Sequence, residues 1–344
     1  MKKSICFAKG ILGIPGILVP AFLLAAVVTT PAMAQDTSKA TPAAQPFVAG
    51  RPLGVTQQGA YTPMSSNVKV YGAVVNAESC SYDAVRGLIV VPNRGAEQNE
   101  VPNDGFVSLL NHDGSVHTPK WIGENRNGLT LNHPLGSDIV NGILYLADRD
   151  GGTTATEPTV SVIRKFTMAT GAPAGELRQP QSPGLNDIAV AADGTIYGTQ
   201  TRVPGPADPS HSKVFKITAQ GAVSELIVGP PLREPNGIAL DNDGNLVVVN
   251  IADNAVLTFS LDGKLLKTEH AVQPGNDGLV ILRDGTKYVS SVRQGGVSRI
   301  RPGQPAELIA SGIPSPASMC YDAGANQLVI PMNLNNGVAL IPLR

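Results

Sequence analysis

Three stretches of the chain repeat one pattern of polar and apolar positions. Asn186-Asp187-Ile188, Asn236-Gly237-Ile238 and Asp277-Gly278-Leu279 each open on a short side chain bearing an oxygen and run into an apolar segment. Each then meets an Asp-Gly pair: Asp193-Gly194, Asp243-Gly244 or Asp284-Gly285. Asp-Gly between apolar runs is a strong hairpin signal, and a second β-rich run follows every time, as in Leu246-Val247-Val248-Val249. Each unit therefore predicts an inner strand, a tight turn and a second strand.

The same register gives weaker copies at Glu78-Ser79-Cys80, Ser137-Asp138-Ile139 and Ala317-Ser318-Met319. The first positions are then Glu78, Ser137, Asn186, Asn236, Asp277 and Ala317, recurring roughly every forty to sixty residues, a period that predicts an all-β, six-bladed β-propeller. The strand-like run from Val68 to Val75 precedes the first unit, and the last unit has room for only three strands, the third being Val338-Ala339-Leu340-Ile341. The early strand should therefore complete the last blade and close the ring, which removes the open edge of the sheet. This assigns residues 65–344 to the propeller.

Composition adds a compartment. Lys2, Lys3 and Lys9 precede an apolar run from Ile11 to Val28, and Ala32-Met33-Ala34 supplies a cleavage site before Gln35. Residues 1–34 read as a secretory signal peptide, so the protein is expected in the periplasm or secreted, with no membrane anchor after cleavage. Residues 35–64, rich in Ala, Pro, Thr and Gln, read as a flexible lead-in. The formal net charge of −1 falls further once the leader's lysines leave, which gives no electrostatic case for nucleic acid. The mature chain keeps Cys80 and Cys320, on inner strands of the first and last blades. Two buried thiols are the favoured reading over a disulfide, and two cysteines cannot build a thiolate metal site. The residues give no oligomeric state.

Inner strands of a propeller surround a central channel, so residues at their starts converge. Glu78, Asn186, Asn236 and Asp277 would bring four oxygens and two negative charges together. That hard-oxygen set favours Ca²⁺, with Mg²⁺, Mn²⁺ and Zn²⁺ as alternatives. Long loops at Asn93–Asp104, Arg149–Pro158 and Gln200–Ser212 should wall one side of the entrance and select a small ligand. Arg94, Arg149, Arg202 and Arg293 lie in entrance loops, where an anionic substrate could meet them. His133 stands before the second inner strand as a substrate contact or general base. Ser137, Asp138 and Asn250 are further substrate-binding candidates. His112 and His117, beside the Asp113-Gly114 turn, read as exposed hairpin residues. No nucleophile elbow or Walker-type phosphate loop is present.

The segments Gly184-Leu185-Asn186-Asp187, Glu234-Pro235-Asn236-Gly237 and Asn276-Asp277-Gly278-Leu279, with Ala77-Glu78-Ser79 upstream and Ser318-Met319-Cys320-Tyr321 downstream, resemble the senescence marker protein/gluconolactonase (luciferin-regenerating-enzyme-like) family of six-bladed propellers. The resemblance implies a divalent metal on Glu78, Asn236 and Asp277, with Asn186 assisting the metal or contacting substrate. It also implies metal-assisted hydrolysis of a lactone or related ester, in which Asp277 takes a proton and Asn186 and Asn236 steady the oxyanion. Aryl esters and phosphotriesters are neighbouring substrate classes. Animal members carry Arg-Phe where this chain has Gly184-Leu185, so a sugar-gripping cation is absent there. The alternative is a non-catalytic ligand-binding or scaffold propeller whose ion only pins the inner strands.

Overall fold

The computed structural model describes residues 64–72, 74–95, 103–124, 129, 131–150, 159–179, 182–202 and 208–344. The signal peptide, nearly all of the lead-in and much of the three long loops lie outside the described residues.

Six four-stranded antiparallel sheets follow one another along the chain. Their innermost strands are Ser81–Asp83, Ser137–Val140, Leu185–Val190, Pro235–Leu240, Asn276–Ile281 and Cys320–Asp322. This is the expected six-bladed propeller. The hairpins explain the repeated Asp-Gly. In the third blade Ala191 N donates to Thr195 O and Gly194 N to Ala191 O, closing a three-residue loop in which Gly194 sits at φ +85°. Only glycine adopts that conformation without penalty, and the Asp193 carboxylate accepts from Thr195 N at 2.8 Å to hold the turn.

Buried apolar clusters sit between neighbouring blades; one joins Val247, Val249 and Val256 of the fourth blade to Leu279, Val289 and Ile300 of the fifth. Second strands are covered on both faces, which is why Leu246–Asn250 is buried throughout and reads as an unbroken apolar run. Each such valine contributes about 1.5–3 kcal/mol when fully buried. Outermost strands such as Leu265–His270 face solvent.

Closure uses both ends of the domain. The strand Lys69–Tyr71 pairs with Gly337–Pro342, Val70 standing opposite Ala339. It is shorter than the sequence run, because beyond Tyr71 the chain turns inward: Val74 joins the core between the last and first blades, and Val75 N donates to Asn93 Oδ1. Two further fasteners join the first and last blades, and neither follows the sequence reading. Cys80 and Cys320 form a disulfide with Cα atoms 5.4 Å apart. The sequence favours packed thiols, but ring closure sets the two inner segments side by side, with Ser318 N donating to Glu78 O at 3.1 Å, and brings the sulfurs within bonding distance. His112 is only partly exposed; its Nδ1 meets Asp322 Oδ1 at 2.8 Å, and Gln327 Nε2 donates to both His112 O and Asp322 Oδ2. His117 is exposed as expected.

Replacing Cys80 and Cys320 together by serine should lower unfolding stability by about 2–4 kcal/mol. This should appear as a reduced urea midpoint, with an unchanged circular dichroism spectrum because strand pairing still closes the ring.

Candidate functional site

One backbone irregularity, repeated from blade to blade, builds the site. Leu185 pairs with Gln200 but Ile188 with Gly198; Pro235 pairs with Asn250 but Ile238 with Val248; Asn276 pairs with Ser291 but Leu279 with Val289. Each inner strand thus carries one extra residue at its start, a β-bulge that lifts Asn186, Asn236 and Asp277 out of the ladder and re-aims their side chains. The next residue packs against the neighbouring blade. A Cβ on Gly237 would lie 2.3 Å from Asp277 O, and one on Gly278 would lie 2.6 Å from Ala317 O, so glycine is required where bulges touch.

The second blade is out of step with the sequence register. Its hairpin turns on two residues, Asn141 and Gly142, both at positive φ, rather than three. Gly136 N donates to Asn186 O, as Ser318 N does to Glu78 O, so Gly136 and Ser318 are equivalent and Leu135 holds the first position. Ser137 and Asp138 consequently line a separate cavity of about 310 Å³ nearer the hairpins. Asp138 staples two blades there, its carboxylate accepting from Ile139 N and Val190 N at 2.8 Å each.

Glu78, Asn186, Asn236 and Asp277 come together in a cavity of about 320 Å³, whose wall also holds His133, Leu135 and the four arginines Arg94, Arg149, Arg202 and Arg293. Asn186 Nδ2 donates to Thr201 Oγ1 at 3.0 Å, and Asn236 Nδ2 donates to Asp277 Oδ2 at 3.2 Å. These bonds leave four buried oxygens without a partner: Glu78 Oε2, Asn186 Oδ1, Asn236 Oδ1 and Asp277 Oδ1. Buried acceptors are normally satisfied; others lack partners too, such as Gln179 Oε1 and Asn276 Oδ1, and these four are set apart by belonging to residues that line one cavity. Among the described residues no three His, Cys, Asp or Glu side chains gather as a metal cluster, in this cavity or outside it. This ring instead combines two carboxylates with two carboxamides, a donor set that fits a hard cation.

Burial dominates the electrostatics. It raises the Glu78 carboxyl well above its ordinary value, with Asp277 and Asp187 adding repulsion. It lifts Asp277 to about 8, again with Asp187 adding to the effect. Asp187, beside Asn186, was quoted in the motif without a role. Its Oδ2 accepts from Ile238 N and from Ser318 Oγ at 3.3 Å each, spanning the channel beneath the ring. Burial raises it to about 7. Burial, then Arg149 and Arg94, drives His133 down to about 3, so its imidazole is neutral at ordinary pH and a weak base. Asn250 is fully buried and occupied, accepting from Arg233 N and donating to Pro231 O and Asp253 Oδ1. It scaffolds a loop and does not line the cavity.

A comparison with protein-family models matches residues 112–331 to the SMP-30/gluconolactonase/LRE-like region. The chain belongs to this family. The match contains Asn186, Asn236 and Asp277 but begins after Glu78, whose place in the ring rests on the geometry. No curated protein sequence matches the chain. Among solved structures, a virginiamycin B lyase from Staphylococcus aureus is 13% identical with a TM-score of 0.55, covering 82% of this chain and 100% of its own. A gluconolactonase from Xanthomonas campestris is 20% identical with a TM-score of 0.53, covering 88% of this chain and 98% of its own. At these identities the likeness is one of fold.

Burial lifts the folded-state pKa of Asp138 to about 6, above the roughly 3.9 of an unfolded aspartate. Between those values the folded protein holds a proton that the unfolded chain has lost, so this residue makes stability fall as pH rises from about 4 to 6. Urea midpoints measured across that window should show the fall in the native protein and a flatter profile in Asp138→Asn.

Proposed function

We propose that the cavity is the active site of a metal-dependent hydrolase that opens a lactone or a related ester. The observation that carries this reading is the set of four partnerless buried oxygens facing one cavity. Each unsatisfied acceptor costs about 1–3 kcal/mol, and more when charged. A divalent cation held by Glu78, Asn186, Asn236 and Asp277 would satisfy all four at once, Ca²⁺ best, with Mg²⁺ or Mn²⁺ also suited to an all-oxygen set and Zn²⁺ less so. When bound, such an ion supplies Lewis acidity toward a carbonyl oxygen or a water.

The chain's own groups supply the proton chemistry and the orientation. Asn236 Nδ2 holds Asp277 Oδ2 and fixes the carboxylate at the cavity wall, where Asp277, a ligand through Oδ1, would also take the proton of the attacking water. Asn186 is held in the same manner by Thr201, whose hydroxyl donates to Pro235 O at 2.7 Å. These bonds leave Oδ1 of Asn186 and Asn236 for the ion, and the second N–H of each Nδ2 for the oxyanion, as expected from sequence. Neutral His133 lines the wall as a hydrogen-bonding group, leaving Asp277 as the stronger base. Family membership supports the lactone or ester class. The Cys80–Cys320 disulfide supports an oxidising compartment, in keeping with a periplasmic or secreted protein.

Purified protein should hydrolyse members of a panel of lactones and aryl esters, with turnover abolished by chelator and restored by Ca²⁺, Mn²⁺ or Zn²⁺. Asp277→Ala should lose at least about a hundredfold in kcat/KM while keeping its circular dichroism spectrum. A metal that raises the melting temperature of a protein without turnover would make the ion a structural pin and the propeller a scaffold.

A further inference from the structure

The four arginines of the cavity are not equivalent. Arg202 and Arg293 stand at the exposed rim and share Glu234, each with a nitrogen 3.1 Å from its carboxylate. Arg149 lies deeper, at the end of the strand Ile143–Asp150. Its sequence neighbour Asp148 is engaged by Arg164 Nε at 2.6 Å and by the backbone N–H groups of Asn132 and His133. Among the described residues Arg149 makes no ion pair within 4.0 Å, and its buried Nε has no hydrogen-bond partner. Arg94, on the same wall, donates to Asn76 O and Asn333 Oδ1 and adds like charge beside Arg149. Glu78 attracts both guanidinium groups. Under the reading above, however, its charge is committed to the ion.

A half-buried guanidinium with no ion pair of its own, held beside a second one and near only Glu78 and the already engaged Asp148, is costly unless an anion arrives. Its planar fork suits a carboxylate better than any neutral group. We infer that the substrate is an anionic lactone, carrying a free carboxylate that seats against Arg149 with Arg94 alongside, while its ring carbonyl faces the oxygens of Glu78, Asn186, Asn236 and Asp277. This rests on the hydrolase reading for the reaction but not for the binding of the anion. A neutral lactone also yields a carboxylate product, so capture of product alone would give no preference between anionic and neutral substrates.

The test compares two lactones of one shape, 2-hydroxyglutaric acid γ-lactone and its primary amide, together with tetrahydrofuran-2-carboxylate, which cannot be hydrolysed. The native protein should favour the carboxylate lactone over the amide by at least about tenfold in kcat/KM. That ratio should fall to about one in Arg149→Met, stay partly in Arg149→Lys, and be unchanged in Arg299→Met on an outer strand. By calorimetry, tetrahydrofuran-2-carboxylate should bind the native protein and not Arg149→Met. Equal turnover of acid and amide overturns the inference and leaves the hydrolase standing. Binding of the carboxylate that depends on Arg149, with neither lactone turned over, keeps the anion site and removes the hydrolase. Absence of carboxylate binding overturns the inference whatever the turnover.

Discussion

Everything at the centre of this molecule depends on keeping six inner strands around one axis. Side chains at their starts converge only if the ring cannot spring open, and an unclosed propeller would leave an unpaired strand edge at the gap. Three different interactions meet at that gap: strand pairing of Lys69–Tyr71 on Gly337–Pro342, the Cys80–Cys320 bond, and the His112–Asp322–Gln327 cluster. They are fixed to different layers of the blades. Glu78 lies two residues from one of these fasteners, so the first ring position is held by the closure itself.

The converged groups oppose the convergence. Glu78, Asp187 and Asp277 are buried carboxyls that repel one another, and desolvation raises all three. Apolar packing between blades supplies the opposing stabilisation. Bulges at the strand starts confine the conflict to a few residues, because the ladder resumes its pairing at Ile188, Ile238 and Leu279. The fold can therefore tolerate an electrostatically unfavourable centre that an ion would relieve.

Much of this was legible in sequence, for physical reasons. Second strands covered on both faces must be apolar, and three-residue hairpins need a glycine at positive φ, so the repeat could be read from Asp193-Gly194, Asp243-Gly244 and Asp284-Gly285. The ring residues stood out because a short oxygen-bearing side chain before an apolar strand is unusual in several copies. The second blade was misread because Asn141-Gly142 shortens its turn, so the copy chosen by residue type, Ser137, sits two places past the true start at Leu135. The disulfide and the His112 cluster depend on which blades become neighbours and at what height, and spacing along the chain carries neither. Asn250 was a plausible contact by position, but its hydrogen bonds turn it into the loop. Glycine at 237 and 278 stands in the repeated motifs without a stated cause, and that cause is contact between adjacent bulges.

Asp187 has one more consequence. By reaching from the third blade to Ser318 of the sixth, its carboxylate lies across the axis between two cavities whose linings, among the described residues, have no member in common. Among the described residues the two ends of the channel therefore present separate linings, with the Asp187 carboxylate standing between them.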